Sequence, residues 1–273
     1  MNFVYREWEY FCSQVSSAHN CIRVDEIPKI SSSSSWISIK HDVETDVKKA
    51  YDLAKIESRY GIKATYFIQS YLLEKNAETL QKIADLGHEV TYHYDVLDAN
   101  GGNIELALNE FIETIKKFEE IGFKVNSVCP HGNPLMIRDG WSSNKDFFRN
   151  DKVVRHFPEI FDVVVQASQV IKNDFLYISD AGYSWKLIGN VDSNDLSNDG
   201  DFVIESSEEI IEYINNNHNL IISTHPHRWQ KNNVSALFQL IKFKLIRFAA
   251  KKLSKIEFLK KIMSKFYFLA KKI

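Results

Sequence analysis

The sequence of 273 residues predicts an α/β fold: a closed or nearly closed barrel of parallel strands joined by helical crossovers, with an amphipathic helical extension at its C-terminal end. Three observations predict it. Short apolar runs alternate with longer segments of helical periodicity, glycines stand directly behind those segments, and chemically loaded residues recur where the apolar runs end.

In order, Trp36 to Lys40 is a short apolar strand, and Val47 to Tyr60 carries Val47, Ala50, Tyr51, Leu53, Ala54 and Ile56 at helical spacing before Gly61. The pattern repeats with strand Ala64 to Ile68, helix Asn76 to Leu86, Gly87 and strand Glu89 to Tyr94. Helix Asn103 to Ile121, Gly122 and strand Val125 to Cys129 follow. Past Pro130 the signal weakens through Trp141 to Asn150. Strands at Phe161 to Gln166 and Phe175 to Ser179, a helix at Glu205 to Asn217 and a strand at Leu220 to Thr224 complete the series. The run Ser31 to Ser35 reads as a loop, dividing the chain into an N-terminal segment (1–35), a barrel domain (36–235) and a tail (236–273).

With 44% hydrophobic and 26% charged residues the chain has material for a sizeable core. Its net charge of -2 hides an asymmetry, because residues 236–273 hold eleven Lys/Arg against the single acid Glu257, which leaves residues 1–235 at about -12. An acidic body argues against nucleic acid as a partner. Cys12, Cys21 and Cys129 have no metal-knuckle or disulfide-framework spacing. No secretory signal or bilayer-spanning run is legible, so the expected location is cytoplasmic, peripheral on the inner membrane face.

In a parallel βα fold, functional side chains gather at the carboxyl ends of the strands. Four strands end in His41-Asp42-Val43-Glu44, His93-Tyr94-Asp95, Pro130-His131-Gly132-Asn133-Pro134 and His225-Pro226-His227-Arg228-Trp229, and a fifth leads to Asp180 and Trp185. Two acids and an imidazole at a buried strand tip are costly to desolvate unless they bind or catalyse something. Imidazole and carboxylate ligands suit one divalent metal ion, zinc foremost, with Co, Ni, Fe or Mn as alternatives. Such a site activates water, a nearby carboxylate takes the proton and an imidazole protonates the leaving group, which is machinery for metal-assisted hydrolysis. His19, His88, His156 and His218 read as structural, and Trp141 as groove-lining or core-covering equally.

From Ile37 to Trp229 these residues resemble the polysaccharide deacetylase superfamily (NodB homology, carbohydrate esterase family 4), in particular its bacterial members with an HDVD or HDVE first motif. Ile39 to Glu44, followed by Gly61 to Phe67, is similar to the first motif, and Gly87 to His93 to the second. Cys129 to Pro134 stands at the third, Asp180 to Trp185 at the Asp/Trp motif, and Ile221 to Trp229 resembles the closing His-Pro segment. The resemblance implies a distorted (β/α)7 barrel that hydrolyses an N- or O-acetyl group from a sugar with one divalent metal. It implies Asp42 as general base, His225 as general acid, Glu44 and His93 as metal ligands, and Asp180 and Trp185 shaping the groove. The chemistry of Tyr94, Arg228 and Trp229 adds candidates for sugar contact.

Three departures bear on the site. The family's second histidine, four residues after His93, is Leu97, so Asp95 and His131 are the nearest substitute ligands; the third motif lacks its arginine; and Glu44 replaces an aspartate. The leading reading is a metal-dependent deacetylase of surface-polysaccharide or glycolipid biosynthesis, acting on an acetylated sugar that is lipid- or nucleotide-linked. The alternatives are an inactive carbohydrate-binding or scaffold barrel and a hydrolase of non-sugar amides. In the tail, Leu237, Ile241, Leu245, Phe248, Leu253, Ile256, Leu259, Met263 and Phe266 approximate one helical face, with Lys244, Arg247, Lys251, Lys255, Lys261 and Lys265 at other angles. The expected partner of that helix is an anionic membrane surface, and the competing one is protein.

Overall fold

The strand around Asp42 is buried along its whole length, and its side chains divide by a period of two. In the computed structural model, which describes residues 3–18, 20–30, 35–133, 136–171, 175–189, 191–192, 201–204, 206–216 and 219–253, this strand is the centre of one ten-stranded sheet. The strands are β1 (Asn20–Ile22), β2 (Trp36–Val43), β3 (Thr65–Ile68), β4 (Glu89–Tyr94) and β5 (Ser127–Pro130), then β6 (Phe161–Asp162), β7 (Phe175–Ser179), β8 (Trp185–Ile188), β9 (Phe202–Ile204) and β10 (Asn219–Thr224). The order β6-β5-β4-β3-β2-β10-β7 is parallel throughout, seven strands with helical crossovers, and β8 and β9 continue it antiparallel.

One set of side chains faces a common interior. Trp36 of β2, Phe67 of β3, Cys129 of β5, Tyr177 of β7 and Ile221 of β10 pack into a single cluster with Val164. Strands from both ends of the sheet therefore curl around one core, giving the distorted (β/α)7 arrangement. Among the described residues no ladder joins β6 to β7, so the barrel is open at that seam. The alternate residues, including Ile39, Val43, Tyr66, Val90, Tyr92, Val128 and Ile222, form the outer layer under the helices.

Helix Val47–Arg59 starts where the Asp46 carboxylate accepts from the Lys49 N–H at 3.1 Å. Helix Ile104–Glu120 is capped in the same way by Asn103. Gly122 follows it at φ +98°, a conformation that costs a residue with a Cβ.

Two elements differ from the sequence expectation. The N-terminal segment belongs to the barrel body: helix Tyr5–Ala18 buries Trp8, Phe11 and Val15, and β1 pairs with the lower edge of β2 beneath the start of β3. The strand expected over Phe161 to Gln166 stops at Asp162, whose carboxylate accepts the N–H groups of Val164 and Val165, both at 2.8 Å, and turns the chain away. His19, His218, Pro134, Ser31 to Ser34 and the tail beyond Leu253 lie outside the described residues. Among the described residues no helix is long and apolar enough to cross a membrane.

At the bottom of the barrel Glu89 is buried, accepting from the hydroxyls of Thr65 and Ser127 at 2.7 and 2.8 Å. Burial, reinforced by nearby Asp25, raises its carboxyl to about 7. Burial likewise raises Asp162 to about 6. A carboxyl whose folded pKa lies above its unfolded value stabilises most when both states are protonated, and that contribution is lost as pH rises through the folded value. Thermal stability is therefore expected to fall between about pH 4 and 7, by up to about 3 kcal/mol from Glu89. Calorimetry on Glu89→Gln should show a flatter profile across that window, and an identical slope would count against a protonated Glu89.

Candidate active site

At the upper end of the interior, period two places Lys40 and Asp42 on the same face of β2. The Lys40 ammonium is fully buried and donates to both Asp42 oxygens at 2.7 and 2.8 Å, with Cys129 Sγ at 3.2 Å. Burial alone would raise the Asp42 carboxyl, but Lys40, with His93 and His225, holds it well below the usual carboxylate range. Burial would also strip the Lys40 proton, and Asp42 outweighs it, so Lys40 stays charged. The result is an ionised, largely buried carboxylate at the inner wall of a cavity.

Beside Asp42, three ligand atoms converge. His131 Nδ1 lies 3.2 Å from His93 Nε2 and 3.2 Å from Glu44 Oε1. The ligand atoms of Glu44, His93 and His131 all lie within 4.8 Å of one another. His93 Nδ1 sits 3.0 Å from the Cys129 carbonyl, a contact it can make only by donating, which leaves Nε2 as a bare lone pair aimed at the other two. Burial lowers the His93 imidazole to about 4, so it is neutral and able to ligate at physiological pH. Two imidazoles and one carboxylate fit a divalent ion of borderline hardness. Asp42, His93 and Cys129 form a second such group, but the Lys40 ammonium already lies between Asp42 and Cys129, and burial keeps the Cys129 thiol protonated.

The backbone explains why His131 arrives there. β4 and β5 pair up to Tyr94 and Pro130, and one further bond, His131 N–H to the Tyr94 carbonyl at 2.7 Å, carries the pairing past the strand end. The loop behind is fixed by Asn144, whose amide donates to the His131 carbonyl at 2.8 Å and to buried Asp98 at 3.0 Å. Asp98 also accepts a bidentate pair from Arg138 and the Trp141 indole N–H. Trp141 thus covers a loop, its ring so close over Gly102 that a Cβ there would meet it at 2.4 Å.

Opposite the ligand group stands His225. Its Nδ1 is 2.6 Å from buried Asp180, and its Nε2 faces Asp42 and Glu44 at 4.0 and 3.8 Å. Asp180 also accepts from the Thr224 hydroxyl, the His225 N–H and Arg228. Burial pushes the Asp180 carboxyl up, and Arg228 and His225 override it, bringing it to about 2.

Other residues expected at the site lie elsewhere. Asp95 is in neither convergent group among the described residues; it is the first residue outside helix Val96–Ala99. Leu97 packs into the core in that same helix. Tyr94 is fully buried on the outer face of β4 and donates to Asp162 at 2.6 Å, so it meets no sugar. Trp229 is likewise core, its indole donating to Thr224 at 2.7 Å, and Trp185 is buried against Phe3. Arg228 alone of these aromatic and basic candidates borders the site cavity, through its hold on Asp180. His41 points away from Asp42, bonding to Glu57 at 2.7 Å in the outer layer. Lys40 and the Asp98–Asn144 pair carry roles that motif reading left unassigned.

Solved structures to which the chain is similar include family 4 carbohydrate esterases. A pseudoenzyme of that family from Bacillus anthracis matches over 78% of this chain and 62% of its own, at 14% identity and a TM-score of 0.44. A family 4 carbohydrate esterase from Streptomyces lividans, solved with acetate, matches over 78% of this chain and 89% of its own, at 13% identity and 0.41. The catalytic domain of a peptidoglycan N-acetylglucosamine deacetylase from Eubacterium rectale matches over 77% and 84%, at 14% identity and 0.42. The chain spans less than two thirds of the length of the Bacillus anthracis protein. No family model matches the sequence, and no curated protein does.

Replacing His131 by alanine is expected to abolish stoichiometric zinc binding measured by elemental analysis, whereas Asp95→Ala should retain it. Retention by the first variant, or loss by the second, would reassign the third ligand to Asp95.

Proposed function

We infer that this chain is a metal-dependent hydrolase that removes an N- or O-linked acetyl group from a sugar, in the assembly of a surface polysaccharide or glycolipid. The observation that carries this reading is the Glu44, His93 and His131 group set between an ionised Asp42 and the His225–Asp180 pair. Glu44, His93 and His131 would hold the ion, which when bound lowers the pKa of a water to about 7 and polarises the acyl carbonyl. Asp42 accepts the proton of the attacking water. It can do so because Lys40 keeps the carboxylate ionised and fixes both oxygens. His225, on the far side, carries its proton on Nε2 toward the sugar nitrogen or oxygen that departs. Asp180 sets the orientation of that ring through Nδ1. The products are acetate and the free amino or hydroxyl sugar.

The test is acetate release from a panel of acetylated sugars with and without added zinc, cobalt, nickel or manganese. Asp42→Asn should bind metal as wild type does and lose release by at least about a hundredfold, the lower end of what a general base contributes. Unchanged release would remove Asp42 from the reaction. Absence of release across the panel, with metal bound, would favour the carbohydrate-binding reading.

A further inference from the structure

Helix Asn233–Leu253 borders a cavity of the barrel through Phe243, Ile246 and Arg247, a placement the hydrolytic reading does not use. Phe243 packs on Tyr183 with ring centroids 4.8 Å apart, and an Arg247 nitrogen comes within 3.8 Å of where a Cβ on Gly182 would sit. The face turned away from the barrel is apolar: Val234, Leu237, Phe238, Ile241, Leu245 and Phe248 recur at steps of one to four residues and are 48–79% exposed. Such a contiguous stripe is uncommon on a surface that meets only water. The same helix carries Lys242, Lys244, Arg247, Lys251 and Lys252 and no acid. An apolar stripe on a strongly basic helix is the chemistry of an anionic lipid interface.

Behind the helix, a cavity of about 700 Å³ runs from Asp42 to Phe243, Ile246 and Arg247. Among the described residues Lys40, Lys145, Lys186, Arg228 and Arg247 line it with Asp42 and Asp201. Lys40 is held by Asp42, Arg228 by Asp180 and Lys186 lies 4.0 Å from Asp201, so the net positive charge of the lining comes from Arg247 and from Lys145, which also donates to the Val191 carbonyl. A neutral glycan has no use for that excess of positive charge, and a phosphate or pyrophosphate does. The cavity thus runs from Asp42, with its partner Lys40, to the helix that bears the apolar stripe.

We propose that the substrate is an anionic lipid-borne sugar, joined through phosphate or pyrophosphate to a hydrocarbon chain, and that helix Asn233–Leu253 lies in the headgroup layer of the bilayer that presents it. The choice of the acetyl group as the reacting part rests on the hydrolytic reading above; the lipid surface does not. The apolar stripe enters the interface, the basic residues meet anionic headgroups, and the cavity mouth sits at the level of the linking phosphate.

Sedimentation of the full chain with vesicles tests the surface. At low salt, binding to phosphatidylcholine vesicles containing phosphatidylglycerol should exceed binding to phosphatidylcholine alone by roughly tenfold, and high salt should erase the difference. Leu237→Glu/Leu245→Glu should cut binding by roughly tenfold with an unchanged unfolding midpoint, because both side chains face outward. No binding to anionic vesicles, or equal binding by the double variant, overturns the proposal. So does a wild-type dimer that becomes monomeric in the double variant without either binding vesicles, which would assign the stripe to a second copy of the chain. In a second arm, an N-acetyl sugar linked through pyrophosphate to a polyprenyl chain in those vesicles is compared with the same sugar on a nucleoside diphosphate in solution. Faster acetate release from the vesicles supports the lipid source, and equal or faster release from solution overturns it. Release from neither, with vesicle binding intact, refutes the deacetylation reading and supports the surface.

Discussion

Lys40→Met is expected to abolish acetate release near neutral pH and to lower stability by about 3–5 kcal/mol, the usual cost of leaving one partner of a buried ion pair alone. Methionine fills nearly the same space beside Phe67 and Tyr177, so packing is largely kept and the charge is the variable. Without the ammonium, Asp42 is left with the Ser223 hydroxyl at 3.5 Å, His225 at 4.0 Å and His93 within 4.8 Å, and burial then governs it. The carboxyl takes up a proton and cannot accept one from water. The sign is definite: in wild type the depressed Asp42 pKa contributes stability above the unfolded value and loses it as pH falls, and the variant reverses that contribution. The acid limb of the rate profile should move upward by several units, and Lys40→Met/Asp42→Asn should recover much of the stability with none of the activity. A Lys40→Met enzyme with the wild-type pH profile would show that Lys40 only fills space.

Lys40 also shows where reading the sequence stopped. β2, β3, β4 and β10 are buried on both faces and read as short, largely apolar runs, which is why their positions were legible to within one to three residues. A lysine inside such a run reads as a solvent-facing position, yet parity alone puts Lys40 on the face of Asp42. The same parity separates His93 from Tyr94 and Asp42 from His41, and it could have withdrawn both neighbours from the site. Parity fails at Asp95. Two residues after His93 it counts as the same face, but at φ -139° and ψ 23° the chain has already left the strand to begin helix Val96–Ala99. The third ligand instead depends on a bond between strand ends, His131 N–H to the Tyr94 carbonyl, and on Asn144 far along the chain. Contacts at sequence separations of 37 and 13 residues leave no local pattern to read. The N-terminal helix escaped for a different reason: Trp8 finds its partner, the Glu57 carboxylate at 3.0 Å, 49 residues away.

Asp180→Asn is expected to reduce acetate release by on the order of 10³-fold, within the range that general acid–base catalysis supplies. The carboxylate is saturated with donors: the Thr224 hydroxyl, the His225 backbone N–H, His225 Nδ1–H and Arg228. An asparagine amide has one acceptor oxygen and must turn two of its own hydrogens toward groups that are themselves donors. The His225 ring then loses the partner that holds Nδ1–H, and Arg228 loses its carboxylate at the same time. A purely structural role for Asp180 would depress every substrate equally. Loss of the general acid would not: an acetamide, whose leaving nitrogen must be protonated, should lose far more than 4-nitrophenyl acetate, whose phenolate leaves unaided. Parallel kcat values for the two substrates in wild type and variant therefore decide the matter. Equal losses on both would remove His225 from proton delivery and leave Asp180 as a brace between β7 and β10, whereas a selective loss on the amide would tie the buried carboxylate, through one imidazole, to the bond that breaks.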